Sequence, residues 1–309
     1  MPWSPPVSSS LKVVQAESSG RTKQPRLPVD YCPPVLPLTD SQESEVLRFL
    51  ETRPLHTVFL RGFILDNGLE NSLNRGNFYG YWHPNGQLGG VALIGHATLF
   101  EANCEAALRL FGYQARQHSD IHMIMGEQQS VHIFWNSLVE SSEAIPPRLC
   151  TELLFERRSL IANHEPVKTL RPATLDDLER VMPIQAEMAL VESGVDPMAV
   201  DPVGFENRCL RRIEMNRVWV AIENDALTFK ADILCATADV NYIEGVYVAR
   251  HYRGNGYGLR CLAQIGQRLS GSTRSLCLFV NANAKEAQEF YKRAGFSLSS
   301  VYSTIFLDG

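Results

Sequence analysis

Residues 245–259 read Gly245-Val246-Tyr247-Val248-Ala249-Arg250-His251-Tyr252-Arg253-Gly254-Asn255-Gly256-Tyr257-Gly258-Leu259. An apolar strand runs into a loop with three glycines in five residues, which then becomes a helix. Glycine lets a backbone come close to an anion, and the first-turn amides of a helix aim their unpaired N–H groups at it. Arg253 adds a cation at the same place. A pyrophosphate can be held this way without a metal. Two other phosphate loops fail here. No Lys-Ser/Thr follows the glycines, as a P-loop requires, and the spacing departs from G-x-G-x-x-G.

The elements on either side extend this strand-loop-helix unit into an α/β half-chain. Upstream, 218–223 and 227–236 form a hairpin across Asn224-Asp225, and 242–248 is the strand that enters the loop. Downstream, the helix runs from 256 to 269, followed by a strand at 276–280, a helix at 285–294 and a strand at 298–306. The first half shows the same order. Residues 77–83 and 87–95 form a hairpin across Pro84-Asn85-Gly86, followed by strand 97–100, helix 102–115, strand 121–125, helix 129–138 and strand 149–156. Each half opens on a capped helix. Asp40 with Glu43 precedes Val46, Leu47, Phe49 and Leu50, and Thr174 with Asp177 precedes Leu178, Val181 and Met182. The expected fold is a duplicated α/β unit (α+β, mixed sheet). A Pro-rich tail covers residues 1–37, which hold eight of the 17 prolines; the first unit covers 38–163 and the second 166–309.

Composition narrows the function classes. With 309 residues, 45% of them hydrophobic and 20% charged, the chain is long and apolar enough for two cores. A formal net charge of −5 argues against a nucleic-acid partner, which needs a basic face. No apolar run reaches the ~18 residues of a membrane span. The seven cysteines are odd in number and lack a C-x-x-C pair, so they read as small buried hydrophobes in a reducing compartment. The N-terminus lacks the basic start and apolar core of a secretory signal, and a cytoplasmic location is expected. Metal chemistry is not expected, because the eight histidines show no H-E-x-x-H or paired Cys/His spacing.

The second half resembles the GNAT (Gcn5-related) N-acetyltransferases over about residues 166–307. Arg253, Gly254, Asn255, Gly256, Tyr257 and Gly258 match that family's acetyl-CoA pyrophosphate loop. Ala287, Tyr291 and Gly295-Phe296 match its A-x-x-x-Y-x-x-x-G-F helix, and Arg171-Pro172-Ala173-Thr174 is a typical start. More narrowly, Glu192-Ser193-Gly194-Val195-Asp196-Pro197 and Phe229-Lys230-Ala231-Asp232 resemble bacterial two-domain members, in which an N-terminal domain of unknown function precedes the acetyltransferase domain. The family's frequent Asn seven residues before the helix Tyr is replaced by Ala284, leaving Asn281 or Asn283 to contact the pantetheine. The first half reads His96-Ala97-Thr98-Leu99-Phe100-Glu101 where the Gly-rich loop is expected. It is expected to be a degenerate GNAT-like copy that packs against the second half and shapes the acceptor site.

The resemblance implies acetyl-CoA as cosubstrate and direct attack by an acceptor amine in a ternary complex. An alkyl ammonium with a pKa near 10.4 costs about 4.6 kcal/mol to deprotonate at pH 7, so a general base is needed. Glu244 is the candidate, on a strand face shared with Tyr242, Val246 and Val248; its plainer reading is a solvent-facing carboxylate. Glu192, in the loop expected to close over the acceptor, is a second candidate. A backbone N–H at Val246, Tyr247 or Val248 can polarise the thioester carbonyl. Tyr291 is the family-matched proton donor to the leaving thiolate, although Ala287, Phe290, Tyr291 and Ala294 also form a core stripe. The run Arg208, Arg211, Arg212 reads as a solvated helix face or as a charge that steers an acidic acceptor, and Phe78, Tyr79, Tyr81 and Trp82 as strand core or as the lining of an acceptor pocket. A small amine, a peptide N-terminus, a lysine or an aminoglycoside-like drug all fit as acceptor, and an exposed edge strand could pair two copies. The competing reading is a non-catalytic acyl-CoA-binding module.

Overall fold

The computed structural model describes residues 35–140, 145–158 and 165–307. In the N-terminal half these are β1 (Val35–Pro37), α1 (Glu43–Leu50), α2 (Val58–Asn67), β2 (Gly76–Trp82), β3 (Leu88–Gly95), β4 (Ala97–Ala102), α3 (Glu105–Ala115), β5 (Met123–Glu127), α4 (Gln128–Leu138) and β6 (Arg148–Arg157). In the C-terminal half they are β7 (Leu170–Pro172), α5 (Leu178–Ser193), α6 (Pro197–Val200), α7 (Pro202–Glu214), β8 (Val218–Glu223), β9 (Ala226–Ala236), β10 (Val240–Val248), α8 (Tyr257–Leu269), β11 (Ser275–Asn281), α9 (Lys285–Arg293) and β12 (Ser297–Phe306).

The expected order of elements is present, with local shifts that have physical causes. The stretch read as tail falls on 1–34, outside the described residues, and on 35–37, which form β1 by pairing with Tyr79, Gly80 and Tyr81. The second capping box forms as read, with Thr174 and Asp177 exchanging hydrogen bonds. The first lies one residue earlier, between Thr39 and Gln42. Asp40 is diverted, because its carboxylate accepts from the Leu69 and Glu70 amides instead. Helix α3 starts later than expected, since Ala102 is still paired with Gly90 of β3.

Among the described residues, twelve strands form one sheet in the order β1-β2-β3-β4-β5-β12-β6-β11-β10-β9-β8-β7. Only β4/β5 and β10/β11 are parallel; every other pairing is antiparallel. The order is a palindrome in which the last strand of each half is exchanged. β12 lies between β5 and β6, and β6 lies between β12 and β11. Neither half closes its sheet with its own final strand.

One face of the C-terminal half packs on α8, where Cys261, Leu262 and Ile265 meet Ile233, Ile243 and Leu278. The opposite face carries a core common to both halves, in which Val58, Leu60 and Ile64 of α2 join Cys235, Tyr242, Cys277 and Tyr302. Each fully buried side chain of this kind contributes about 1.5–3 kcal/mol of transfer free energy. Phe78, Tyr79 and Tyr81 are buried as expected for a strand core.

Candidate active site

β10 and β11 stay paired through Val240↔Ser275, Asn241↔Leu276 and Tyr242↔Cys277, and then part. From Ile243 onward the β11-facing edge of β10 is open, whereas its other edge stays on β9. Within that open stretch lies a β-bulge. Glu244 opposes Asp232 and Tyr247 opposes Lys230, so Gly245 and Val246 together face one β9 residue. Gly245 has φ +58, and a Cβ there would meet the Lys230 ammonium at 2.9 Å.

The bulge corrects the expected face of Glu244. Simple alternation places it with Val246 and Val248, but an inserted residue reverses the alternation beyond it. Glu244 shares its face with Tyr242, Asp232 and Tyr247, whereas Val246 and Val248 pack into the α8-side core with Phe229.

After β10 the chain makes a short turn at Arg250–Tyr252 and reaches the glycines. Gly254 and Gly256 have φ +81 and +80, and nothing lies within 4 Å of a Cβ built on either. The backbone N–H groups of Gly254, Asn255, Gly256, Gly258 and Leu259 have no hydrogen-bond partner among the described residues. The Tyr257 N–H alone is satisfied locally, by Asn255 Oδ1 at 3.1 Å. Arg253 is exposed beside them, its Nε donating to the Val248 carbonyl at 2.8 Å. This is an open concave array of donors at a helix N-terminus, and no carboxylate occurs between Ala249 and Leu259.

Two members of this loop serve packing. Gly258 lies against Val248, where a Cβ would come within 2.9 Å of its Cγ2. The Tyr257 ring turns inward, its hydroxyl meeting Thr228 at 2.8 Å and Glu223 at 3.1 Å. Burial pushes that hydroxyl up to about 12.

Glu244 is half-buried, and its Oε1 accepts from Arg212 of α7 at 2.6 Å. Arg212 also donates to Asp232 at 3.2 Å, and Asp232 meets the fully buried Lys230 at 2.7 Å. Burial opposes the charge on Arg212, but the two carboxylates outweigh it and hold the guanidinium above its ordinary pKa. Arg212 is thus no solvated surface cation, and neither is Arg211, which donates to Asn67 of α2 at 2.6 Å. Glu244 Oε2 has no partner among the described residues.

Tyr291 lies between Phe290 and Phe296, at 5.1 and 5.9 Å between ring centroids, and its hydroxyl has no hydrogen bond among the described residues. Burial pushes it above the ordinary phenol range. Asn281 ends β11, its Nδ2 donating to Glu152 at 3.1 Å and its Oδ1 accepting from the Asn283 amide. Asn283 is exposed, and Ala284 caps α9. Glu192 stands in the last turn of α5, and its side chain lies outside the described residues.

Glu244 and Val246–Val248 lie on the stretch of β10 that has left β11, the loop follows that stretch, and Asn281 ends β11 on the other side of the gap. Arg212 at Glu244 and Glu152 at Asn281, with Asp232 and Lys230 buried behind Glu244, are neighbours that sequence reasoning did not assign. Only long-range strand register and helix packing bring these together, and no local pattern signals that.

The sheet is parted between β10 and β11, and a donor-rich loop stands at the head of the next helix. Residues 214–298 match the family model for the acetyltransferase (GNAT) domain. A GNAT-family acetyltransferase from Colwellia psychrerythraea superposes on 89% of this chain and 100% of its own, at 12% identity and a TM-score of 0.53. A tandem GNAT protein from the clavulanic acid biosynthesis pathway covers 89% of this chain and 99% of its own, at 11% identity and a TM-score of 0.55. A Drosophila protein from structural genomics covers 88% and 98%, at 12% identity and a TM-score of 0.63. At these identities the likeness is one of fold, and it extends over both halves. No curated protein matches the chain. Among the described residues no cluster of three metal-ligating side chains occurs, and no helix is long and apolar enough to cross a membrane.

Proposed function

We propose that the protein moves an acetyl group from acetyl-CoA to an amine by direct attack in a ternary complex in the cleft between β10 and β11. The observation that carries this reading is the loop after β10. Its two left-handed glycines face open space, and five unpaired amides and Arg253 surround the space where a pyrophosphate fits. A Cβ on either glycine fills that space.

Acetyl-CoA supplies the activated acetyl group when bound; the rest is the work of this chain. The loop amides hold the pyrophosphate. The open edge at Val246, Tyr247 and Val248 offers N–H and C=O groups to an extended pantetheine arm, as to an added strand. An N–H on that edge orients the thioester carbonyl. The free Oε2 of Glu244 is available for the acceptor's proton, while Arg212 fixes Oε1. The Tyr291 hydroxyl is protonated at neutral pH, as any phenol is, and is the candidate donor to the leaving thiolate.

Calorimetric titration with acetyl-CoA, desulfo-CoA and adenosine tests this, together with thiol release from acetyl-CoA in the presence of primary amines. Binding of both CoA compounds, none of adenosine, and amine-stimulated release are expected. An absence of CoA binding overturns the reading. Tight binding without turnover under any amine leaves the acyl-CoA-binding module.

A further inference from the structure

Glu152 belongs to the N-terminal half, yet the exchange of final strands puts it beside the C-terminal cleft. Register pairs it with Asn281 of β11 on one side and Tyr302 of β12 on the other. Directly paired residues share a face, so Glu152 lies on the face that carries Phe279, Tyr242 and Glu244.

Its neighbours on this face are electrostatically matched. Glu101 and Glu127 share Arg53, Glu244 and Asp232 share Arg212, and Glu156 pairs with Arg158. Glu152 is half-buried with only the Asn281 amide as partner among the described residues. Burial pushes its carboxyl above the usual range against that hydrogen bond. A desolvated carboxylate without a counter-ion is costly, and a cation entering the cleft relieves it.

Glu152 on β6 and Glu244 on β10 flank β11, and because β10 leaves β11 beyond Tyr242 they stand further apart than two regular strand spacings, about 10 Å. Between them lie the half-buried rings of Phe279 and, from α2, Phe59, stacked at 5.9 Å. An aliphatic stem fits such rings, and an ammonium beside them gains cation–π attraction.

We propose that the acceptor is an aliphatic polyamine. Its reacting nitrogen lies at Glu244 and a second ammonium, across the gap between β10 and β11, is held by Glu152. The N-terminal half thereby completes the acceptor site. This rests on the acetyltransferase reading above.

The test compares 1,8-diaminooctane with 1-aminooctane, which share a stem and differ by one ammonium. Binding to the full chain is titrated with desulfo-CoA present, for the wild type and Glu152→Gln. Gln keeps an oxygen for Asn281, so acetyl-CoA affinity of the variant reports that it is folded. The wild type is expected to prefer the diamine by about tenfold or more, the effect of one charge-assisted hydrogen bond. The variant is expected to lose that preference while still binding acetyl-CoA. If the variant keeps the preference, or if the wild type shows none or binds neither amine, the inference is overturned. Failure of the wild type to bind acetyl-CoA overturns the underlying reading instead, so the two failures are distinguishable.

Discussion

β4 and β5 stay paired through Leu99↔Met125 and then part, as β10 and β11 do after Tyr242↔Cys277. Two residues past the last pair each half carries a glutamate, Glu101 or Glu244, and each accepts from an arginine, Arg53 at 2.8 Å or Arg212 at 2.6 Å. From there the halves differ. In the N-terminal half β4 ends at Ala102 and α3 begins at Glu105, with Cys104 as cap and neither glycine nor positive φ in the link. Arg53 also bridges to Glu127 at 2.7 Å, and His56 meets the Tyr302 hydroxyl at 2.9 Å. What remains of that cleft is a cavity of about 20 Å³, room for a single water. In the C-terminal half residues 249–256 separate strand from helix, and two glycines leave the space in front of the helix open. The shared scaffold supplies a parted sheet and a held carboxylate. The link between strand and helix decides whether the space in front of the helix is open.

Mutating the paired glutamates is the sharpest way to break this comparison. Glu244→Gln is expected to lower turnover by about a hundredfold or more, the range for a lost general base. Glu101→Gln is expected to leave turnover unchanged and to appear only as a lower melting temperature, because it removes one of the two carboxylates that hold Arg53. Equal kinetic losses at the two positions would mean that both clefts take part in chemistry.

A smaller effect is expected at the helix caps. Gly256→Val forces a β-branched residue into φ +80, a conformation that costs about 1–2 kcal/mol, and fills the cradle. The acetyl-CoA dissociation constant should rise about tenfold or more. Cys104→Val, at the corresponding cap, should leave both affinity and a stoichiometry of one per chain intact. A calorimetric stoichiometry of two would show a second working cleft.

The smallest effect concerns the two capping boxes, and it depends on pH. Asp177 accepts from Arg171 at 2.6 Å and from the Thr174 amide, and the guanidinium holds its carboxyl down to about 2. A carboxyl lowered on folding stabilises the protein above its ordinary pKa, and that contribution fades as the pH falls toward the folded value. Asp177→Asn should therefore cost about 2 kcal/mol at pH 7, with the gap to wild type closing between about pH 4 and pH 2. The N-terminal box uses Gln42, which does not titrate, so Gln42→Ala should show a pH-independent cost. A gap at Asp177 that ignores pH would mean that Arg171 does not matter there.

Features that depend on near neighbours in the chain were legible in advance. The loop from Arg253 to Gly258, the two hairpins and the Thr174 box each arise within a few residues, where backbone sterics and local hydrogen bonds decide. Errors arose where distant groups compete for a local one. Asp40 was expected to cap its own helix, but the Leu69 and Glu70 amides claim it. Arg212 was expected in solvent, but Asp232 and Glu244 draw it inward, and their combined charge offsets its desolvation.

The amino-acid sequence by itself therefore determined the duplicated order of elements and the open glycine-rich loop of the second copy, because glycine placement and hydrophobic period act at short range. Tertiary structure alone decided three things. The bulge at Gly245 turned Glu244 away from Val246, and α7 supplied its arginine. The exchange of β6 and β12 brought Glu152 of one half to the cleft of the other. Strand register is a long-range choice: a shift of one residue exchanges the faces of every side chain, and only the assembled sheet fixes it.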